Sequence, residues 1–246
     1  MRIFVARSPK ELGEEAARLT AEALNEAIRK KGWARMALGT GASQLEALAA
    51  LTRQKVPWRQ VEVFQICERM GLEEKDPGSC RKALKERFEE KVPGVLVHYL
   101  DGTEDGMQAS SMQIRRAPVD VMLTGLGEQG QIGFNQAPAD FEANEPYITA
   151  EPEGAEYALI TLSIAEMMRC GRVIACAPYG IHAENVWQVM THRLSPELPA
   201  TALKLHRSFD LLLDTDSASK ISVELAARYN PELEAYRLPL CEEKSE

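Results

Sequence analysis

Residues able to carry chemistry fall in four short stretches of this 246-residue chain. The richest is 121–136. There an apolar run ends in the closely spaced glycines Gly125, Gly127 and Gly130, with Glu128, Gln129, Gln131 and Gln136 at short intervals. That is the layout of an active-site loop, because glycines let the backbone turn tightly and present N–H groups. Yet a glutamine only donates and accepts hydrogen bonds; it has no group that titrates near neutral pH. General acid–base catalysis requires one that does. The loop therefore leaves two readings open, a working enzyme and a binding fold that has lost its chemistry.

The second stretch is Gly39-Thr40-Gly41-Ala42-Ser43, between an expected strand and an expected helix. Its N–H groups and the following helix N-terminus suit an anion. Ser43 either caps that helix or offers its hydroxyl to a phosphate. The third holds Cys67 and Glu68 at a strand end; a free cysteine is also a common small buried residue, and Glu68 can pair with Arg69 or solvent. The fourth, 194–208, is punctuated by prolines and carries His206, either a proton carrier or a structural hydrogen-bonder. Gly125-Leu-Gly-Glu-Gln-Gly130 matches the dinucleotide fingerprint only in spacing. That fingerprint must open a helix, whereas here Pro138 follows closely and 137–156 lacks apolar periodicity. Nicotinamide dinucleotide binding is therefore not expected.

Alternating β-rich and helical patterns must position these stretches. Strands are expected at 2–6, 35–38, 61–66, 95–100, 119–124, 157–162, 172–177 and 209–213. Helices are expected at 9–31, 43–52, 79–91, 107–115, 164–168, 181–191 and 217–230. In the first helix Leu12, Ala16, Leu19, Ala23 and Ala27 recur at helical spacing, with Ser8 as N-cap and Pro9 in the first turn. This order predicts one α/β domain over 1–246, with a doubly wound, mainly parallel sheet covered by helices on both faces. Ligands of such folds bind beyond the carboxyl ends of the strands. The loops after Leu38, Ile66, Thr124, Ala177 and Leu213 are the places to search.

Composition narrows the classes. No apolar run approaches the roughly 20 residues of a membrane span, and the N-terminus reads as a strand, not a signal peptide. Five cysteines (67, 80, 170, 176, 241) lack zinc-type spacing, which fits free thiols in a reducing cytoplasm. The net charge of −8 is concentrated: 117–168 holds nine acids and no Lys or Arg. No basic stripe marks a nucleic-acid surface. An acidic cleft, suited to a positively charged ligand, is the expectation from that stretch, with Arg207, Lys204 and Arg172 the nearest cations outside it.

Taken together, the loops resemble the glucosamine-6-phosphate deaminase (isomerase) family, whose fold is shared with 6-phosphogluconolactonases. Leu38-Gly-Thr-Gly-Ala-Ser43 resembles the family's L-P-T-G-G-T-P phosphate loop. Phe64-Gln-Ile-Cys-Glu-Arg-Met-Gly-Leu72 resembles F-N-M-D-E-Y-x-G-L. Gly125-Leu-Gly-Glu-Gln-Gly-Gln-Ile-Gly-Phe-Asn-Gln136 resembles G-x-G-x-D-G-H-I-A-F-N-E, and its G-F-N ending favours the deaminase branch. Ser195-Pro-Glu-Leu-Pro-Ala-Thr-Ala-Leu-Lys-Leu-His206 resembles S-x-x-P-A-S-x-L-Q-x-H. The likeness runs from residue 3 to about residue 236.

The resemblance implies ring opening by a histidine with acidic neighbours, then proton transfer between C2 and C1 by an aspartate, with loss of ammonia and no metal or organic cofactor. It also implies severe departures. The shuttling aspartate falls on Cys67, the acid after the second glycine on Gln129, the ring-opening histidine on Gln131 and the glutamate after Phe-Asn on Gln136. The phosphate lysine falls on Ser208, with Arg207 beside it as a substitute. The family's longer lid, which brings an arginine to the phosphate, is replaced by the short acidic segment 137–156; with an amino sugar as the implied ligand class, such a cleft suits the unphosphorylated, positively charged form better.

The main expectation is an inactive or impaired deaminase-like protein that binds a sugar or sugar phosphate through Gly39, Thr40, Gly41, Ala42, Ser43, Gly125, Gly127, Arg207 and Ser208. One alternative is an isomerase or hydrolase acting on a related carbohydrate through Cys67, Glu68, Glu128 or His206. Another is a sugar-sensing subunit with no DNA-binding segment of its own. Partners would be the sugar, and a second copy or partner subunit, but no nucleic acid or membrane.

Overall fold

The first helix shows how directly the sequence writes its elements. In the computed structural model, which describes residues 1–151 and 154–229, strand β1 (Arg2–Ala6) leads into helix α1 (Pro9–Lys31). The Ser8 hydroxyl accepts from the Glu11 N–H, and Gly32 ends the helix at φ +85°, its N–H donating to Ile28 O at 2.8 Å. A residue with a side chain rarely adopts that φ. Leu12, Ala16, Leu19, Leu24 and Ala27 face the core.

Gly13, on the same helix, touches the backbone of α2 (Leu45–Leu51). A Cβ there would lie 2.5 Å from the Glu46 carbonyl carbon. Backbone cannot yield as a flexible side chain does, so Gly13→Ala is expected to cost about 1–3 kcal/mol. A denaturant titration with an unchanged slope would measure it.

Seven parallel strands form the main sheet in the order β1-β10-β9-β6-β2-β3-β5. They are β2 (Ala34–Leu38), β3 (Val61–Gln65), β5 (Leu96–His98), β6 (Val121–Gly125), β9 (Arg172–Ala177) and β10 (Phe209–Asp214), besides β1. Successive residues feed opposite faces: Leu211 and Leu213 enter one hydrophobic core, and Leu212 enters the other. Both faces are therefore buried, as a parallel sheet requires. From β2 the chain winds outward to β3 and β5, then returns to β6 and winds the other way. The switch falls between β2 and β6, where a crevice opens at the carboxyl ends.

The remaining strands depart from expectation. β4 (Cys67–Arg69), β7 (Tyr147–Ala150) and β8 (Leu159–Leu162) form a separate antiparallel sheet in the order β4-β8-β7. The stretch after Ile66 therefore begins as a strand, not a loop, and the strand foreseen at 157–162 pairs outside the main sheet. Strand β7 lies in the acid-rich segment, where no element was expected. The Tyr147 hydroxyl donates to Gln65 O at 2.8 Å and pins this small sheet to the end of β3.

The helix expected at 79–91 divides into α3 (Cys80–Arg87) and a 3-10 turn at Glu89–Lys91. α4 (Glu104–Ile114) starts earlier than expected, because Thr103 caps it by accepting from the Gly106 N–H. α5 (Ile164–Arg169) and α6 (Ala183–Thr191) follow the pattern closely. Of the helix expected at 217–230, only α7 (Val223–Ala227) forms. Residue 230, Cys241, Glu153 and the end of the family likeness near residue 236 lie outside the described residues. No helix among the described residues is long and apolar enough to cross a membrane.

Candidate functional site

The crevice at the β2/β6 switch is a cleft of about 620 Å³. Its base is the turn from Gly39 to Gln44 together with Thr124–Gly127. One wall carries Ile66, Cys67, Arg69 and the start of α3; the other carries Glu128, Gln129, Gln131, Phe134 and Gln136. His182 closes the far end.

The turn after β2 is shaped internally. Gln44 Oε1 accepts from the Gly41 N–H at 2.8 Å, and Gln44 Nε2 donates to Ser43 Oγ at 3.0 Å. Ser43 does not cap the helix; the residue preceding α2 makes no side-chain cap at all. A Cβ on Gly125 would lie 1.8 Å from Ser43 Oγ and 2.0 Å from Gln44 Nε2, so both side chains would have to leave the bond they make with each other.

The glycine loop after β6 opens no helix. Bridges pair Leu126 with Ile132 and Ile132 with Asn135. Gln131 O accepts from the Gly127 N–H at 2.9 Å, and Gln131 Oε1 accepts from the Gln129 N–H at 2.9 Å. Asn135 Nδ2 donates to Ile132 O and Leu162 O, while Asn185 Nδ2 donates to Gly127 O. Gly133 sits at φ +58° against β8, where a Cβ would come within 2.8 Å of Thr161 Oγ1. The loop dips toward the small sheet here, and a side chain would lift it off.

Four residues named from sequence lie elsewhere. Glu68 is fully buried behind the wall. Its carboxylate accepts from the N–H groups of Arg69, Cys80 and Arg81, from Ser79 Oγ and from Gln65 Nε2. It anchors the α3 N-terminus and is not among the residues that line the cleft. His206 Nε2 donates to Cys170 O at 2.9 Å, and Nδ1 accepts from the Ser208 N–H at 3.0 Å. Both ring nitrogens are satisfied. The stretch 206–208 precedes β10, so His206, Arg207 and Ser208 lie at the amino edge of the sheet, opposite the cleft. The relocated-enzyme reading thus loses two of its four groups and keeps Cys67 and Glu128.

The cleft is not acidic. Glu128 is the carboxylate in its lining, against Arg69 and Arg87. The acid-rich segment turns away into β7. The cations foreseen are also engaged elsewhere: Arg172 pairs with Asp210, and Lys204 donates to His192 O. Arg69 lies over the Phe134 ring and donates to Gly78 O at 2.5 Å; Arg87 donates to Thr40 O at 2.9 Å. Neither makes an ion pair among the described residues, so both retain donors for an anion.

Titratable groups in the cleft are few. Hydrogen bonding with Cys80, reinforced by burial, pushes the Cys67 thiol well above its usual range. Burial holds the His182 imidazole low, against the pull of Glu128 and Asp214. His182 is 5% exposed, and its Nδ1 has no hydrogen-bond partner among the described residues. Asp214 accepts from the Tyr179 N–H at 2.7 Å and so fixes the turn that presents His182, Tyr179 itself standing at φ +71°.

A family model described as glucosamine-6-phosphate isomerases/6-phosphogluconolactonase matches residues 7–212. The chain belongs to this family. Glucosamine-6-phosphate deaminases of Bacillus cereus (strain B4264) and Bacillus thuringiensis (strain Al Hakam) are 25% and 24% identical over 244 residues, covering 92% of this chain and 91% of theirs. Among solved structures, a monomeric glucosamine-6-phosphate deaminase has a TM-score of 0.79 at 22% identity, covering 89% of this chain and 100% of that one. A 6-phosphogluconolactonase from Shewanella baltica OS155 has a TM-score of 0.78 at 17% identity, covering 87% and 97%. At these identities the structural likeness is one of fold.

Of the residues lining the cleft, Arg69, Arg87 and His182 were not foreseen from the sequence. Two had a signal. Arg69 stands inside the quoted motif beside Cys67, and His182 lies in a loop following a strand marked for search. Arg87 had none, because it reaches the cleft from the far end of α3.

Proposed function

We propose that this protein is a glucosamine-6-phosphate deaminase-like binder of a phosphorylated sugar, with its deaminase chemistry silent. The observation carrying this is the contents of the cleft. Cys67, Gln129, Gln131 and Gln136 line it together, and beside them stand two arginines that make no ion pair among the described residues. The first set offers polar contacts without a ready proton carrier, since glutamine does not titrate and the Cys67 thiol is held protonated. The second offers charge-assisted bonds to a phosphate. This replaces the preference for an unphosphorylated amino sugar, which rested on an acidic cleft.

Calorimetry tests the proposal with glucosamine, glucosamine 6-phosphate and N-acetylglucosamine 6-phosphate. Both phosphorylated ligands should bind more tightly than glucosamine; equal or tighter binding of glucosamine would refute the phosphate assignment. Arg87→Ala is expected to weaken glucosamine 6-phosphate about tenfold or more, as loss of one charge-assisted contact does, and to leave glucosamine little changed.

A further inference from the structure

Cys67 and Cys80 reach the cleft from different elements. Cys67 opens β4, and Cys80 is the first residue of α3. Glu68 fixes their relation, because it follows Cys67 in the chain and its carboxylate accepts from the Cys80 N–H at 2.9 Å and the Arg81 N–H at 2.7 Å. The start of α3 is thereby clamped against β4, and both cysteines line the same cleft wall. The sugar-phosphate reading gives Cys80 no role and takes Cys67 only as a lining group that carries no proton away.

We propose that Cys67 and Cys80 form a reversible dithiol–disulfide pair, oxidised by a low-molecular-weight disulfide, whose bridged form binds the cleft ligand more weakly. The two thiols have unequal roles. Cys80 is half-buried, and hydrogen bonding with Cys67, with help from Arg69 and the Thr40 hydroxyl, lowers its thiol below the usual range despite burial and Glu68. Cys67 is buried and raised. Thiolates attack disulfides and thiols do not, so Cys80 is the first nucleophile.

Its sulfur bonds to one sulfur of the incoming disulfide and expels the other half as a thiolate. That thiolate takes the Cys67 proton. The Cys67 sulfur then attacks Cys80 and expels the second half. The second half leaves as a thiolate and takes from solvent the proton that Cys80 released on ionising; in sum the protein loses two electrons and two protons, and the small disulfide becomes two thiols. The new bond draws Cys80 away from Thr40 and shifts α3, which carries Arg87. The effect on binding rests on the sugar-phosphate proposal; the thiol chemistry does not.

The test uses the whole chain and oxidised glutathione, read by mass spectrometry after digestion. The expected product is a peptide pair joined through Cys67 and Cys80, released by dithiothreitol. Cys67→Ser should retain one glutathione on Cys80, and Cys80→Ser should take none on Cys67. Cys170 and Cys176 should stay unmodified, since burial pushes the first up and the second to about 12. A stable glutathione adduct on Cys80 of the unaltered protein, with Cys67 free, overturns the pair; this readout needs no variant to fold. Calorimetry with glucosamine 6-phosphate then compares oxidised and re-reduced protein. Affinity should fall at least tenfold on oxidation and return on reduction. Equal binding by both forms overturns the switch, whereas binding by neither overturns the sugar-phosphate proposal and leaves the dithiol standing.

Discussion

Purified protein given glucosamine 6-phosphate is expected to release no ammonia above about 10⁻³ s⁻¹. The figure follows from the groups the reaction needs. An ordinary enzyme turns over at roughly 10 s⁻¹, and each general acid or base contributes roughly 10²–10⁴-fold. Groups acting in one sequence are not additive when lost, so the bound assumes the smallest effect for only two of the four positions. Gln129, Gln131 and Gln136 have nothing to exchange, and the neighbouring Cys80 together with burial pushes the Cys67 thiol well above its usual range. A coupled assay for ammonia across pH 6–9 measures the rate. Turnover near 1 s⁻¹ that disappears in Glu128→Gln would instead establish an enzyme built on the remaining carboxylate.

Glu68→Ala is expected to lower the melting temperature by about 10 °C. Five donors converge on a carboxylate with no exposed surface. Three are backbone N–H groups, two of them from the first turn of α3, where a negative charge is favoured by the helix field. Deleting the acceptor strands these donors away from water, at about 1–3 kcal/mol each, and breaking a buried charged network costs about 3–5 kcal/mol in total. For a domain of this size each kcal/mol moves the midpoint by roughly 2–4 °C. Glu128→Gln is the contrasting substitution. Its side chain is exposed and should change stability by no more than about 0.5 kcal/mol. A thermal scan of both variants distinguishes an anchor from a cleft residue; similar midpoints would show that the Glu68 network contributes little.

Elements whose signals are local were legible from sequence. Ser8 and Pro9 mark the start of α1 because a cap acts within one turn, and strands such as β1 and β9 announce themselves by apolar runs. The small sheet was not legible. β4 is three residues long, and β7 lies among acids, so neither carries a periodic pattern; their pairing with β8 is set by distant chain. The cleft divides the same way. The glycines and glutamines were found because a motif keeps them in order. The strand expected at 209–213 already puts His206, Arg207 and Ser208 at an amino end, away from the loops that follow β2, β3 and β6; the motif likeness outweighed that signal. Arg87 was hidden, being brought to the cleft by the path of α3.

The loop from Leu126 to Asn135 is held almost wholly by main-chain bonds and by Asn135, Asn185 and Thr161 from outside the cleft. Gln129 contributes only its N–H, and Gln136 contributes nothing to the bonds that shape it. At 129 and 136 contour and reactivity therefore reside in different atoms, whereas Gln131, whose Oε1 holds the Gln129 N–H, combines them. Such a site behaves as a socket whose fittings are exchangeable: a substituent at 129 or 136 can be swapped for an acid, a base or an amide without rebuilding the walls around it. Redesign of this chain can begin at those two positions, with the geometry already supplied.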